Sequence, residues 1–188
     1  PMITDKNFVQ LALSRHSVGA RHQILPAPDV ASLRLAVSTA MRAPNHEKKL
    51  PLRFVEIVSR EKLADLFEST LPADAEESVR IKTREKGTKG PMCVALIQTD
   101  LHDDISPLFR EERLITAGCA LMNFLNALHA QGFVAKTVSP RPFTAPNGLY
   151  DPENERVITF IIIGSPETPL TYEDIDQGHD EHLPLSQW

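Results

Sequence analysis

Apolar residues recur along this chain in two rhythms, one helical and one suited to buried strands. Val30, Leu33, Val37 and Met41 follow helical spacing and predict a helix from about Asp29 to Arg42, with Asp29 as its cap. An earlier helix is predicted from a Thr4 cap to about Ser14, burying Phe8, Leu11 and Ala12. Gly19 marks its stop, and Arg15 stands near the carboxyl end, where a cation is favoured. Leu63, Leu66 and Phe67 predict a helix over 61–69. The longest helical stretch is 107–131, closed by Gly132. Its middle, 114–125, is apolar nearly all round, which suits a helix buried on every side. A central helix or a subunit interface would provide that burial, and Ala117 and Gly118 would admit a close neighbour. Strands are predicted at 53–58, 91–97, 133–138 and 156–163. The second is apolar throughout, the mark of a strand covered on both faces.

Between these elements the pattern breaks. The stretch 72–90 carries Arg80, Lys82, Arg84, Lys86 and Lys89 in quick succession. It reads as a solvated helix and loop, with a lid over a site as the functional alternative. Four prolines between 139 and 154 predict a loop with turns. The tail from Ser165 to Trp188 is polar and acidic, so it is either loose or wrapped on a partner. Helices alternating with a few strands predict an α/β or α+β layer structure in a single domain spanning 1–188.

Composition narrows the function classes. A net charge of -5 argues against nucleic-acid binding. No stretch reaches the roughly 18 apolar residues of a membrane helix, and the first residues lack the basic and apolar regions of a secretory leader. Cys93 and Cys119 both lie in apolar runs, with no CxxC pairing, so they read as buried small hydrophobes in a reducing cytoplasm. Nucleotide, acyl-transfer and zinc signatures are absent. His179-Asp180-Glu181-His182 offers metal-ligating groups without a helical frame to hold them.

Two polar groups stand out after this sieve. Arg15-His16-Ser17 combines a bidentate cation with a hydroxyl, which is what a phosphate binds. Arg42-Ala43-Pro44-Asn45-His46 follows the second helix; Pro44 stops that helix and leaves Asn45 and His46 in a loop. Asn and His side chains can serve the carbonyls and ring nitrogens of a planar heterocycle. Plainer readings stay open here: Arg15 as complement to a helix terminus, and His46 as an exposed loop histidine.

The order of these motifs resembles the FMN-dependent nitroreductase family, closest to its small single-domain bacterial members. The resemblance rests on Arg15-x-Ser17, then Met41-Arg42-Ala43-Pro44-Asn45-His46 and Pro51-x-Arg53-Phe54. It continues in Ala117-Gly118-Cys119-Ala120 with Ala130-Gln131-Gly132-Phe133, and ends in Ile163-Gly164-Ser165-Pro166. It implies an α+β, three-layer fold with a central mixed or antiparallel sheet flanked by helices, in an intertwined homodimer with FMN at the subunit interface. Arg15 and Ser17 would hold the phosphate and ribityl chain, with His16 beside them. Arg42, Pro44, Asn45 and His46, from the same or the partner subunit, would line the ring or ribityl region, with Leu50 at the flavin edge. Thr137, Val138 and Ser139 would pass along the ring, and Gly164 would belong to the turn after the last strand. NAD(P)H would donate hydride to the flavin, which would reduce a nitro, quinone or other small acceptor in ping-pong fashion, with no protein nucleophile or essential base.

Three departures qualify that expectation. Relatives often carry Gln-Pro-Trp where this chain has Leu50-Pro51-Leu52. Val138 stands where a basic residue often follows the third strand, with Lys136 two residues earlier, and no Lys or Arg follows Ser165. They keep two alternatives in view: a protein of the same fold that binds FMN or another ligand without efficient turnover, and a metalloprotein using His46 with the tail histidines.

Overall fold

The computed structural model describes residues 8–102, 105–141, 143, 148–169 and 183–188. The tail cluster from His179 to His182 and the predicted Thr4 cap therefore lie outside the described residues. Two central strands organise the molecule, β3 (Met92–Gln98) and β5 (Arg156–Pro166), paired antiparallel with Ala95 opposite Phe160. β2 (Leu52–Glu56) flanks β3, while β4 (Val134–Val138) and the two-residue β1 (Gln23–Ile24) flank β5. Every pairing is antiparallel. β1 escapes sequence reading because its identity comes from a partner: Gln23 and Ile24 pair with Pro166 and Ser165, beyond the predicted end of the last strand.

Alternation along the strands sorts the core into two halves. Val94, Leu96, Ile161 and Ile163 face α2 (Val30–Ala40) and α5 (Pro107–Ala130), meeting Ala36, Ala40, Ala117, Ala120 and Phe124. Cys93, Ala95, Ile97, Phe160 and Ile162 face the other way, toward Leu63 and Phe67 of α3 (Arg60–Glu68). α4 (Glu77–Thr88) packs on α3. Helices therefore cover both sides of an antiparallel sheet, as the α+β expectation required.

Local chemistry sets the helix limits. Asp29 accepts the Ser32 amide and starts α2; Ser106, followed by Pro107, accepts the Phe109 amide and starts α5. Gly132, at φ 88°, ends α5 in the left-handed region.

Two expectations need correction. α1 (Phe8–Ser14) has no buried residue, and Phe8 keeps 66% of its surface exposed. Seven residues at the carboxyl end of α5 find too little neighbouring surface to bury an apolar side. α5 itself is not covered all round in one chain: Leu114, Ile115, Gly118 and Met122 are exposed. Among the described residues no helix is long and apolar enough to cross a membrane.

Candidate functional site

Residues 15–19 leave α1 and run beside β4, where the Val18 amide donates to the Ala135 carbonyl at 3.0 Å. Gln23 Nε2 donates to the Val18 carbonyl at 2.9 Å and fixes the far end of the turn. Ser14 Oγ lies 2.7 Å from His129 Nε2 and also donates to the Leu11 carbonyl, so the imidazole nitrogen is the donor in the Ser14–His129 contact. Burial, together with the positive charges of Arg15 and His16, holds the His129 pKa below the ordinary histidine value. Among the described residues Arg15 has no carboxylate partner. His16 Nδ1 approaches the Ser14 carbonyl at 3.3 Å, and Ser17 is exposed.

The second polar loop, 41–50, is built differently. α5 reaches it with two polar side chains, Thr116, whose Oγ1 donates to the Pro44 carbonyl at 2.9 Å, and Arg113, which grips Glu47; Asn123 Nδ2 donates to the Thr39 carbonyl at 3.1 Å in the last turn of α2 just before it. Asn45 Nδ2 donates to the carbonyls of Glu47 and Lys49, so its donors shape the loop and its Oδ1 is what it can offer outward. His46 Nε2 lies 3.6 Å from Glu112, with the imidazole mostly exposed. Arg42 is exposed, and Leu50 packs against the core.

Within one chain these two groups do not meet. Thr116 touches the second loop and His129 the first, and they stand thirteen residues apart on α5. At about 1.5 Å per residue that is roughly 20 Å of straight helix. Within one chain, that length of α5 separates the two contacts.

A third region collects the rest. A pocket of about 380 Å³ is lined by Phe67, Thr83, Lys86, Val138, Ser139, Pro140 and Arg141. Among the described residues its lining holds two cations, Lys86 and Arg141, and no carboxylate. Val138 and Ser139 belong to the predicted set, and Thr137 precedes them in β4; Phe67, Thr83, Lys86 and Arg141 were not anticipated. Arg141, three residues after Val138, lines the same pocket. The signal for Thr83 was present in the charged run: Val79, Thr83 and Gly87 follow at four-residue spacing, and Thr83 and Gly87 are the buried pair of α4. Gly164 is set by packing: a Cβ there would lie 2.8 Å from Pro91 Cγ and 2.9 Å from Gln23 Cβ. Among the described residues no cluster of three metal-ligating side chains forms.

Comparison with known proteins supplies the frame for these parts. No family model matches the chain. A Haemophilus influenzae protein named "Putative NAD(P)H nitroreductase" is 29% identical over 148 residues, which span 74% of this chain and 79% of that protein. The solved nitroreductase-like family protein of Bacillus cereus superposes with a TM-score of 0.72 at 16% identity, over 90% of each chain. A Desulfovibrio desulfuricans structure described as a "putative nitroreductase in complex with fmn" superposes with a TM-score of 0.62 at 17% identity, over 88% of this chain and 89% of its own. Sequence relatives and structural neighbours agree: over most of its length the chain is similar to proteins named as nitroreductases, and it has their fold.

Proposed function

We propose that this protein is an FMN-dependent NAD(P)H oxidoreductase that acts as a homodimer. In this reading Arg15, His16, Ser17, Thr137, Val138 and Ser139 of one copy and Arg42, Pro44, Asn45, His46 and Leu50 of the other enclose each flavin. The observation that carries it is the separation of the two polar loops by the length of α5, in a chain whose α5 leaves Leu114, Ile115 and Met122 uncovered. A second copy lying on that apolar surface would bring one chain's first loop to the other chain's second loop.

The described residues fit FMN. Val18 is anchored opposite Ala135, and Ser139 lies four residues further along the β4 side. At about 3.3 Å per residue the path is roughly 13 Å, suited to an elongated ligand with a phosphate at one end and a ring at the other. Arg15 presents a guanidinium fork to the phosphate, and the Ser17 hydroxyl adds a neutral donor. Lys86 and Arg141 line the pocket at the opposite end without a competing carboxylate. Their charges favour negative charge at that end, as fixed donors do where charge develops. Bound FMN would supply the hydride chemistry between NAD(P)H and a small acceptor. The protein's share is to bind, orient and exclude water.

Arg15→Ala is the test. A charge-assisted hydrogen bond contributes about 1.5–3 kcal/mol, so FMN affinity is expected to fall roughly tenfold to a hundredfold. Flavin fluorescence titration reads it. Unchanged affinity sinks the phosphate assignment. Wild-type protein that retains FMN but does not bleach it with NADH or NADPH under anaerobic conditions selects the ligand-binding alternative.

A further inference from the structure

We infer that Arg113 is a positioning residue: it holds the 44–50 loop of one chain in the shape that the flavin site of the second chain requires. The inference rests on the dimeric reading above.

Arg113 is 8% exposed, the buried member of the charged run Arg110-Glu111-Glu112-Arg113 near the start of α5. Burying a guanidinium costs far more than burying a leucine, and an ion pair repays that only with good geometry. Here the geometry is good. Nε and Nη2 donate to the two carboxylate oxygens of Glu47, at 3.1 and 2.7 Å, a fork against a fork. Nη1 donates to the Asp100 carbonyl, at the residue of positive φ that follows β3. Three of its five donors are thereby used, and none goes to solvent-facing decoration.

Glu47 is the knot of the loop. Its side chain is held by Arg113, and its carbonyl accepts from Asn45 Nδ2. A continuous series of bonds thus runs from Asp100 through Arg113 and Glu47 to Asn45. The Thr116 bond to Pro44 fixes the loop one residue before Asn45. The loop has no helix or strand of its own. The orientation of Asn45, with His46 next to it, therefore derives from a charge buried in a helix sixty-six residues further along the chain. An apolar side chain at 113 would fill the space and leave Glu47 without direction.

Heterodimers separate this role from mere support of the fold. In the dimeric reading each site takes Arg15 from one chain and the 44–50 loop from the other. Arg113→Gln chains are mixed with Arg15→Ala chains, and FMN is titrated into the mixed dimer. The expected result is one site of wild-type affinity per dimer and one doubly impaired site. The Arg113→Gln homodimer should remain folded, exchange the amides of 44–50 at least about tenfold faster, and bind FMN about tenfold more weakly, since small misplacements carry large penalties. Arg113→Lys should restore only part, because an ammonium cannot make the paired contact. If Arg113→Gln does not fold, Glu47→Gln breaks the ion pair from the loop side with a side chain of nearly the same size and takes its place in the same mixture, with the same loosening of 44–50 expected. Unchanged protection of 44–50, or a mixed dimer in which neither site recovers, overturns the inference. If wild-type protein binds no FMN, the flavin reading falls on its own, and exchange at 44–50 decides whether the clamp exists.

Discussion

The sheet carries helices on both faces, and their outward surfaces differ in kind. On one face, α5 turns Leu114, Ile115, Gly118 and Met122 away from its own core. On the other, α4 and α3 turn out charge: Arg84 reaches Glu61, Asp65 and Glu68 at 3.0, 2.7 and 2.6 Å, and Arg80 reaches Glu68. Two glycines mark the same contrast. Nothing lies within 4 Å of a Cβ placed on Gly118, whereas a Cβ on Gly87 would stand 2.7 Å from the Ala64 nitrogen. The α3–α4 side pairs its charges within one chain, with Val79 and Ile81 left exposed among them. The α5 side has the character of a surface meant to be covered.

Gly118→Leu should therefore have the largest effect, and an effect on assembly. Its side chain has room in one chain but would intrude between two, so under the proposed dimer light scattering should show half the mass of the unaltered protein. A variant that stays dimeric removes Gly118 from the interface. Gly87→Ala should act on folding alone. Overpacking against the α3 backbone costs about 1–3 kcal/mol, read as a lower denaturation midpoint with unchanged molecular mass. Equal stability would mean that α3 and α4 part more readily than their contact suggests.

The smallest expected effect belongs to His129, where α5 meets the first polar loop. Its folded pKa lies below the unfolded value, so the unfolded chain binds the proton first as pH falls. Its stabilising effect is complete above the unfolded pKa of about 6.5 and is lost as pH drops toward the folded value. His129→Gln should flatten stability against pH in that acidic window. An unchanged profile would mean that another group governs the acid side.

Much of this contrast was legible in the residues, though not its geometry. Ser106-Pro107 and Gly132 delimit α5, and its apolar middle already suggested burial within the chain or at a subunit interface; only the structure shows which side a single chain leaves exposed. The polar loops were found because Pro44 and the Arg15-His16-Ser17 run are local signals. Arg113 was missed because its meaning depends on Glu47, far away in sequence, and nothing local in Arg110-Glu111-Glu112-Arg113 marks which of the four charges turns inward. Lys86 and Arg141 were missed for a related reason. A charged run reads as solvated until a pocket shows which of its charges turn toward Ser139. The burial of α1 was misread because helical spacing reports an apolar side without reporting what lies opposite it.

Arg60, near the start of α3, donates to the carbonyls of Gly87, Lys89 and Gly90 at the close of α4. It ties the entrance of one helix to the exit of the next, where a frayed end would otherwise begin. The hairpin should then open as one cooperative unit in native-state fluctuations. A protease probing it would find either both helices accessible or neither. The placing of Lys86 in the pocket is thereby guarded by a latch that never touches the pocket itself.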